Sequence, residues 1–339
     1  MSLELEKTKV LIVCAWYNRA DYIKDTLDSL LNQTFDNYKI TVVNDGSKDP
    51  RVKEILDSYN DPKLTVIHQE NTGFVGAIRR AIENTDSEYI AVQGAGDVSF
   101  PERIKAQVNL LDADSSLGVV GCKHKNIVFG GPNDGYESTS KTIKERATLE
   151  TFLKLGNPFS HGDVMYRREL YQKVGGYRDF FKFAQDRDLW IRMAAYCDMA
   201  VVDELLYERR AFYSDGVSTD IDKLILQKAF SNFAIQCHYN RKTMGSDFVE
   251  KYGRHGGMFR DKSKPTSVFI AKKSLECLFN KDIDRALYLS SLAIQESVNF
   301  TSAIARSMAK LSSMNSVFRQ LIQFLLGLHS SSSKWTVRR

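Results

Sequence analysis

The chain has 339 residues, 43% of them hydrophobic and 26% charged, with a formal net charge of +5. This length and composition predict a packed core, with room for one large domain and a smaller one. Its five cysteines are scattered and none forms a Cys-x-x-Cys pair, which argues against a disulfide framework or a zinc site and for a reducing compartment. The charged N-terminus has no apolar signal-peptide region and no apolar run of about 18 residues occurs, so we expect neither a secretory signal nor a transmembrane helix.

The first 120 residues alternate between apolar strands and amphipathic helices, in the manner of βαβ units. The strand at Lys9–Ala15 is apolar almost throughout, as in a parallel sheet covered on both faces. Apolar residues at helical spacing follow it over 21–31. The other predicted elements are strands at 40–43, 64–67, 89–92 and 117–122, and helices at 51–59, 74–83 and from Pro101.

The pattern becomes less regular after a glycine-rich loop at Gly130–Tyr136. From about 142 to 207 short helices and strands mix. A helix is clear at Asp186–Tyr196 and a strand at Met199–Val202. This stretch still belongs to the α/β part of the chain.

Strand signals vanish after about residue 220. Residues 221–329 have the pattern of helices, including a helical hairpin over 266–298. We therefore predict an α/β domain at 1–218 and an α-helical C-terminal region at 219–339.

Four predicted strand ends carry polar, acidic or glycine residues in succession. In an open parallel sheet, ligands bind beyond the carboxyl ends of the strands. Each segment alone is compatible with an ordinary turn, but four in register predict a nucleotide pocket. The segments are Ala15-Trp16-Tyr17-Asn18, Asn44-Asp45-Gly46-Ser47, Gln69-Glu70-Asn71-Thr72-Gly73 and Gly94-Ala95-Gly96-Asp97.

The residue types at these ends suit a nucleoside diphosphate. Asp45 is an acceptor-only group for a base edge or ribose hydroxyls, and Tyr17 offers a ring face to the base. Gly73 and Gly94–Gly96 allow the backbone to approach ribose or diphosphate closely. Asp97 is a hard oxygen ligand for Mg²⁺ or Mn²⁺.

The order of these motifs resembles the family-two glycosyltransferases, inverting enzymes of the GT-A fold, over roughly residues 8 to 218. The donor-side resemblance lies in CAWYN, VNDGS, ENTGFVGAIRRAI and QGAGDVSFPERI. The segment HGDVMYRRELYQKVGGY followed by QDRDLWIRM is similar to that family's acceptor-side segment. The resemblance implies a GT-A, Rossmann-like mixed sheet flanked by helices and followed by the helical region.

The resemblance also implies roles for individual residues. Asp186 is expected to be the general base, with Gln185 beside it on the acceptor side. His161 is expected either to contact the acceptor or to satisfy a loop carbonyl, and Asp186 has the alternative of being only a helix N-cap. The donor-binding candidates are Ala15, Tyr17, Asn18, Asp45, Asn71, Gly73, Gly94, Gly96, Asp97, Arg209 and Arg210, the two arginines near the diphosphate.

One departure from the family concerns the metal. The family usually has Asp-x-Asp at the end of strand four, whereas this chain has Gly94-Ala95-Gly96 followed by Asp97. Asp97, helped by diphosphate oxygens and water, is the remaining candidate ligand for Mg²⁺ or Mn²⁺. The alternatives are leaving-group stabilisation by Arg209 or Arg210 without a metal, and loss of activity.

The C-terminal residues 305–328 are predicted to form a helix with one apolar stripe. Its members are Met308, Leu311, Met314, Phe318, Leu321, Ile322 and Leu325. No Asp or Glu occurs from Ser297 to Arg339, a stretch that contains six Lys or Arg residues. The helix fits an anionic membrane surface, its own domain or a second subunit.

The sequence therefore predicts an inverting glycosyltransferase that moves a sugar from a nucleotide-diphosphate sugar to an acceptor hydroxyl. Its pathway is expected to be surface glycan, polysaccharide or glycolipid assembly, and its location cytoplasmic, at the inner face of the membrane. The expected partners are the donor, a glycan or lipid-linked acceptor and a membrane surface, without nucleic acid. The alternatives are an inactive nucleotide- or glycan-binding module and a nucleotidyltransferase, whose usual Gly-rich, Lys-containing loop after strand one is absent.

Overall fold

The computed structural model describes residues 8–140, 146–213 and 220–332. Its contacts group the chain into two compact units. The first comprises 1–129 with 135–212 and the second 130–134 with 213–339. The predicted domain boundary at 218 lies outside the described residues and stays a prediction.

The first unit is built on one mixed sheet, which has nine strands among the described residues. Its strands are β1 (Val10–Trp16), β2 (Tyr38–Asp45), β3 (Leu64–Gln69), β4 (Tyr89–Gln93), β5 (Val98–Ser99), β6 (Leu117–Phe129), β7 (Glu137–Thr139), β8 (Met165–Arg167) and β9 (Asp198–Phe212). The order is β3-β2-β1-β4-β8-β6-β9-β5, with β7 on β6. The strands β3, β2, β1 and β4 are parallel, whereas β8 runs antiparallel to both β4 and β6.

Seven α-helices occur in the described part of this unit. They are α1 (Ile23–Leu31), α2 (Pro50–Asp57), α3 (Gly73–Asn84), α4 (Arg103–Ala113), α5 (Leu149–Lys154), α6 (Arg168–Lys173) and α7 (Gln185–Met193). In α2, Pro50 occupies the first turn and the Asp49 side chain accepts from the N–H of Arg51, the usual chemistry of a helix start. Strand β1 is buried because its side chains pack with those of α1 and α4, including Leu27 and Ile104.

The predicted βαβ series is confirmed. Each of the first four predicted strands coincides with a strand of the sheet, and the predicted fifth strand begins β6. The predicted strand at Met199–Val202 is the first part of the longer β9. The short strands β5, β7 and β8 were not predicted, because runs of two or three residues carry no readable alternation.

The second unit is helical among its described residues. It contains α8 (Ile221–Met244), α9 (Phe248–Tyr252), α10 (Lys264–Phe279), α11 (Ile283–Glu296), α12 (Phe300–Met314) and α13 (Ser316–Ser332). The predicted hairpin corresponds to α10 and α11, and Asp282 caps α11 by accepting from the N–H of Arg285. Small residues such as Ala271, Ala286 and Ala293 are fully buried where these helices pack.

The prediction of a single helix over 305–328 is wrong. The chain leaves helical geometry at Asn315, which ends α12 in an extended conformation, and its side chain accepts from the N–H of Val317. Asparagine competes with the helix by bonding to nearby backbone groups. No helix among the described residues is long and apolar enough to span a membrane.

Candidate active site

The loops after β1 and β2 are joined by hydrogen bonds around Asn18. Asn18 has a left-handed backbone with φ 55°, its N–H donates to Ser47 Oγ at 2.8 Å, and its Oδ1 accepts from the N–H of Lys48 at 2.9 Å. Tyr17 is 40% exposed beside it, and Ala15 is half-buried. These residues are close together, as predicted, and the Tyr17 ring is available to a ligand.

Asp45 is buried, and its carboxylate accepts hydrogen bonds from the loop that begins α3. Its Oδ1 accepts from the N–H of Thr72 at 2.8 Å and its Oδ2 from the N–H of Gly73 at 2.9 Å. Asn71 donates to the carbonyl of Asp45 at 2.8 Å, and Gln69 donates to Oδ1 at 2.8 Å. The carboxylate thus satisfies the first N–H groups of a helix, so a nucleoside contact would be an addition to this role.

Asp97 lies in the turn between β4 and β5 and is 8% exposed. Its Oδ2 accepts from the Tyr207 hydroxyl at 2.6 Å and its Oδ1 from the N–H of Arg210 at 2.7 Å. Burial raises the pKa of the Asp97 carboxyl above its ordinary value, against the opposing effect of these two hydrogen bonds. Both oxygens of the side chain are therefore engaged with β9.

The side chains of Asp97 and Phe212 leave no room for a side chain at Gly94 or Gly96. A Cβ at Gly94 would lie 2.1 Å from Asp97 Oδ2, and a Cβ at Gly96, where φ is 91°, would lie 2.9 Å from the Phe212 ring. The Asp97 carboxylate therefore occupies the space of the first acidic side chain of the usual Asp-x-Asp. The predicted reason for these glycines, close approach of a ligand, is not needed to account for them.

The described side chains do not by themselves form a site for a divalent cation. Among the described residues, no group of three or more His, Cys, Asp or Glu side chains could hold a metal ion. Mg²⁺ can be held by a single carboxylate together with diphosphate oxygens and water, but each oxygen of the buried Asp97 carboxylate already accepts a hydrogen bond from β9.

Cationic side chains lie on the strands and loops around Asp97. Arg210 pairs with Asp25 at 2.7 Å and with Glu208 at 2.8 Å, so its charge is balanced. Arg209 instead donates to the neutral amide of Asn126 at 3.2 Å, and its positive charge lowers the pKa of Asp97. Of the two predicted arginines, Arg209 is the one without an ion pair to a carboxylate in the part of the chain that the structure describes.

Arg19 is a further cation that the sequence reasoning missed. Its guanidinium donates to the carbonyl of Ala95 at 2.7 Å and lies 4.3 Å from the centre of the Phe212 ring. Like Arg209, it lowers the pKa of Asp97. The available signal was its position directly after Asn18, at the end of the first strand.

Asp186 is the second residue of α7 and is partly exposed. Ala184, with φ 53°, occupies the N-cap position, so the alternative that Asp186 is only an N-cap is wrong. The Asn157 amide donates to Asp186 Oδ2 at 2.7 Å. Asn157 was not predicted, because it precedes Asp186 by 29 positions in a segment without regular pattern.

His161 lies near Asp186 in a buried aromatic group. Its Nε2 is 2.7 Å from the Tyr177 hydroxyl, and its ring contacts Phe74 and Trp190. Burial lowers the pKa of His161 below its ordinary value, against the opposing charges of Asp186 and Asp163. The partner of Nε2 is thus a tyrosine hydroxyl rather than a loop carbonyl. Gln185 begins α7 beside Asp186 and is partly exposed.

Residues 11–175 match the model of Glycosyl transferase family 2. This part of the chain is a family 2 glycosyltransferase domain. The protein is similar to an uncharacterised glycosyltransferase of Rickettsia typhi, 29% identical over 223 residues that are 63% of this chain and 68% of that one. It is also similar to the putative glycosyltransferase EpsE of Bacillus subtilis, 26% identical over 189 residues that are 54% of this chain and 66% of EpsE.

The glycosyltransferase also resembles solved structures in fold. TarS 1-349 of S. aureus, crystallised with UDP-GlcNAc, aligns with a TM-score of 0.54 and 16% identity, over 90% of this chain and 91% of that one. The family match and the similar glycosyltransferases confirm the predicted family and enzyme class. The structural likeness confirms the predicted GT-A fold.

Proposed function

We propose that this glycosyltransferase inverts the anomeric centre as it moves a sugar from a nucleotide-diphosphate sugar to an acceptor hydroxyl, in the assembly of a surface glycan, polysaccharide or glycolipid. The observation that carries the proposal is the contrast between two carboxylates of the first unit. Asp97 is enclosed by its own chain, whereas Asp186 is partly exposed. The complex of TarS with UDP-GlcNAc supports a nucleotide-sugar donor.

The donor would lie at the carboxyl ends of β1, β2, β3 and β4, where open parallel sheets bind ligands. Tyr17 and Asn18 would contact the nucleoside. Asp45 would hold the loop of Asn71 and Gly73 in place against the nucleoside. Strand ends from four segments supply these groups, which supports a nucleotide-sized ligand.

Asp186 would act as the general base. The acceptor oxygen attacks the anomeric carbon while its proton passes to the Asp186 carboxylate and the bond to the diphosphate oxygen breaks on the opposite side, which inverts the configuration. The amide of Asn157 holds that carboxylate at 2.7 Å. Since burial lowers the pKa of His161, this residue is a neutral neighbour and can hydrogen-bond an acceptor hydroxyl.

The departing diphosphate carries negative charge that must be stabilised. Mg²⁺ or Mn²⁺ at Asp97 is not part of the proposal, because both oxygens of that carboxylate accept hydrogen bonds from β9. Arg209 and Arg19, which both act electrostatically on Asp97, are the proposed cationic groups. A location at the inner face of a membrane is also proposed, and its structural basis lies in the helical unit.

A donor screen tests the proposal. The melting temperature of the protein should rise with one of the UDP-, GDP- or dTDP-sugars, in EDTA as well as with Mn²⁺. That donor and a glycan acceptor should then yield free nucleoside diphosphate and a product of inverted anomeric configuration, read by NMR. Donor binding without turnover over a broad acceptor panel would favour an inactive module, and retained configuration would exclude Asp186 as the base of a single displacement.

A further inference from the structure

The helical unit exposes two apolar stripes on its last two described helices. On α13, Val317, Leu321, Phe324 and Leu325 follow one another at i, i+4, i+7 and i+8 and are 70%, 50%, 63% and 51% exposed. This spacing places them on one face of the helix. Ile322 and Leu326 make the core contacts of α13 among its described side chains, and both lie on another side of the same helix.

Helix α12 repeats the pattern. Phe300, Ile304 and Leu311 lie on one face at i, i+4 and i+11, and all three are exposed. The buried residues of α12 are small, as with Ala305 and Ala309. Met314 is 81% exposed at the end of the helix, directly before the break at Asn315.

Scattered apolar residues on a surface are normal, but a run of them on the outer faces of consecutive helices marks an interaction site. The predicted stripe over 305–328 is therefore divided by the structure. Ile322 packs into the unit and Met308 lies against its core. Leu311, Met314, Phe318, Leu321 and Leu325 remain exposed.

The charge of this region decides which partner it suits. No acidic residue follows Glu296, and Glu296 itself is held by Arg260. Lys310 is exposed on α12, whereas Arg306 donates to the carbonyl of Leu287 and Arg319 to that of Ser312. Pairing with a second copy would bring two acid-free, positively charged surfaces together. An anionic surface with an apolar interior complements both the charge and the stripes.

We infer that the outer stripes of α12 and α13 dock on an anionic lipid bilayer, with the apolar side chains in the headgroup boundary and the cations at the phosphates. The large exposed side chains, Phe300, Phe318 and Phe324, are those that gain most from entering that boundary. This inference does not depend on the proposed reaction, since it concerns residues of the helical unit alone.

Vesicle co-sedimentation with the full chain tests the inference. Vesicles of equimolar phosphatidylglycerol and phosphatidylcholine should pellet the protein, vesicles of phosphatidylcholine alone should do so far less, and added salt should weaken the binding. The double variant Leu321→Glu/Phe324→Glu should bind at least about tenfold more weakly. The matched control is Met258→Glu/Tyr288→Glu, which adds the same charges at exposed positions of the same unit and should bind like the parent.

Circular dichroism and melting show whether the variants fold. If Leu321→Glu/Phe324→Glu (the stripe variant) unfolds, Lys310→Gln provides a second test, because the loss of one cation at the surface should weaken vesicle binding about fivefold. Equal weakening by both double variants, or no binding of the parent chain to anionic vesicles, overturns the inference. A parent dimer that the stripe variant converts to a monomer, without vesicle binding, would assign the stripes to a second copy instead.

Discussion

At the residue scale, the degree of burial distinguishes two aspartates, Asp97 and Asp186, that the sequence motifs do not distinguish. Asp97 and Asp186 were both predicted as site residues from their positions in motifs. Asp97 is enclosed because its partner, the Tyr207 hydroxyl, comes from a strand 110 positions later, whereas Asp186 has one amide partner and remains partly exposed. A single sequence does not show that Asp97 and Tyr207 are in contact, so it leaves open whether Asp97 binds a metal ion.

The first prediction concerns the base. Asp186→Asn keeps the size of the side chain but removes its ability to take a proton, so turnover should fall roughly 10²–10⁴-fold while donor affinity stays unchanged. Steady-state kinetics and donor calorimetry measure the two effects. Asp179→Asn, an exposed carboxylate paired with Arg79, is the control and should behave like the parent. Equal turnover of Asp186→Asn and the parent would remove Asp186 from the mechanism.

The second prediction concerns the leaving group. Arg209→Ala should lower kcat by about 10²-fold, the usual effect of removing one group that stabilises developing negative charge. Arg210→Ala is the comparison, because Arg210 is neutralised by Asp25 and Glu208 and its loss should mainly lower the melting temperature. If Arg210→Ala proves the more damaging to kcat in the folded enzyme, the assignment must be reversed.

The third prediction is that the enzyme works without a divalent cation. Turnover in EDTA should match turnover in Mn²⁺, because Asp97 has no oxygen free of protein partners. Asp97→Ala should lower the free energy of unfolding by about 1–3 kcal/mol, since it leaves buried donors unpaired. Activity that disappears in EDTA and returns with Mn²⁺ would contradict this prediction.

At the element scale, α7 is held in place by a buried ion-pair group next to the proposed base. Asp188 is 2% exposed and pairs with Arg178 and with Arg192, the latter at 2.8 Å. The two arginines in turn are nearly buried. Burial alone would raise the pKa of Asp188, but Arg192 and Arg178 hold it below its ordinary value. The helix that presents Asp186 is thereby fixed by charge pairing two residues further on.

The fourth prediction follows from that depressed pKa. A carboxyl whose pKa is lower in the folded than in the unfolded state contributes stability above its unfolded pKa, and the contribution is lost as the pH falls through the folded value. Asp188→Asn should therefore cost about 3–5 kcal/mol at neutral pH, because it removes the carboxylate that balances the charge of two nearly buried arginines. Urea unfolding between pH 7 and pH 3 should show the difference from the parent shrinking at the acidic end. A difference independent of pH would mean that packing, not charge, is what the variant loses.

At the scale of the whole molecule, the sequence predicted the parts that have a period. The apolar strands and amphipathic helices of the first 120 residues repeat their apolar positions every two or 3.6 residues, so the βαβ series could be placed. The nucleotide pocket at the strand ends stays a prediction. The insertion of β8 between β4 and β6 could not be placed, because three residues such as Met165–Arg167 carry no pattern. The break between α12 and α13 at Asn315 was not predicted either, because the spacing of the apolar residues continues across it.

The fifth prediction concerns the two units. Each has its own core, built on β1 in the first and on α10 to α12 in the second, which favours independent folding. A fragment of residues 1–218 should therefore melt cooperatively and keep the donor-induced rise in melting temperature, while losing the binding to anionic vesicles. A fragment of residues 219–339 should be helical by circular dichroism and should retain that binding. Aggregation of the first fragment, or vesicle binding by it, would show that the division near residue 218 does not separate the two activities.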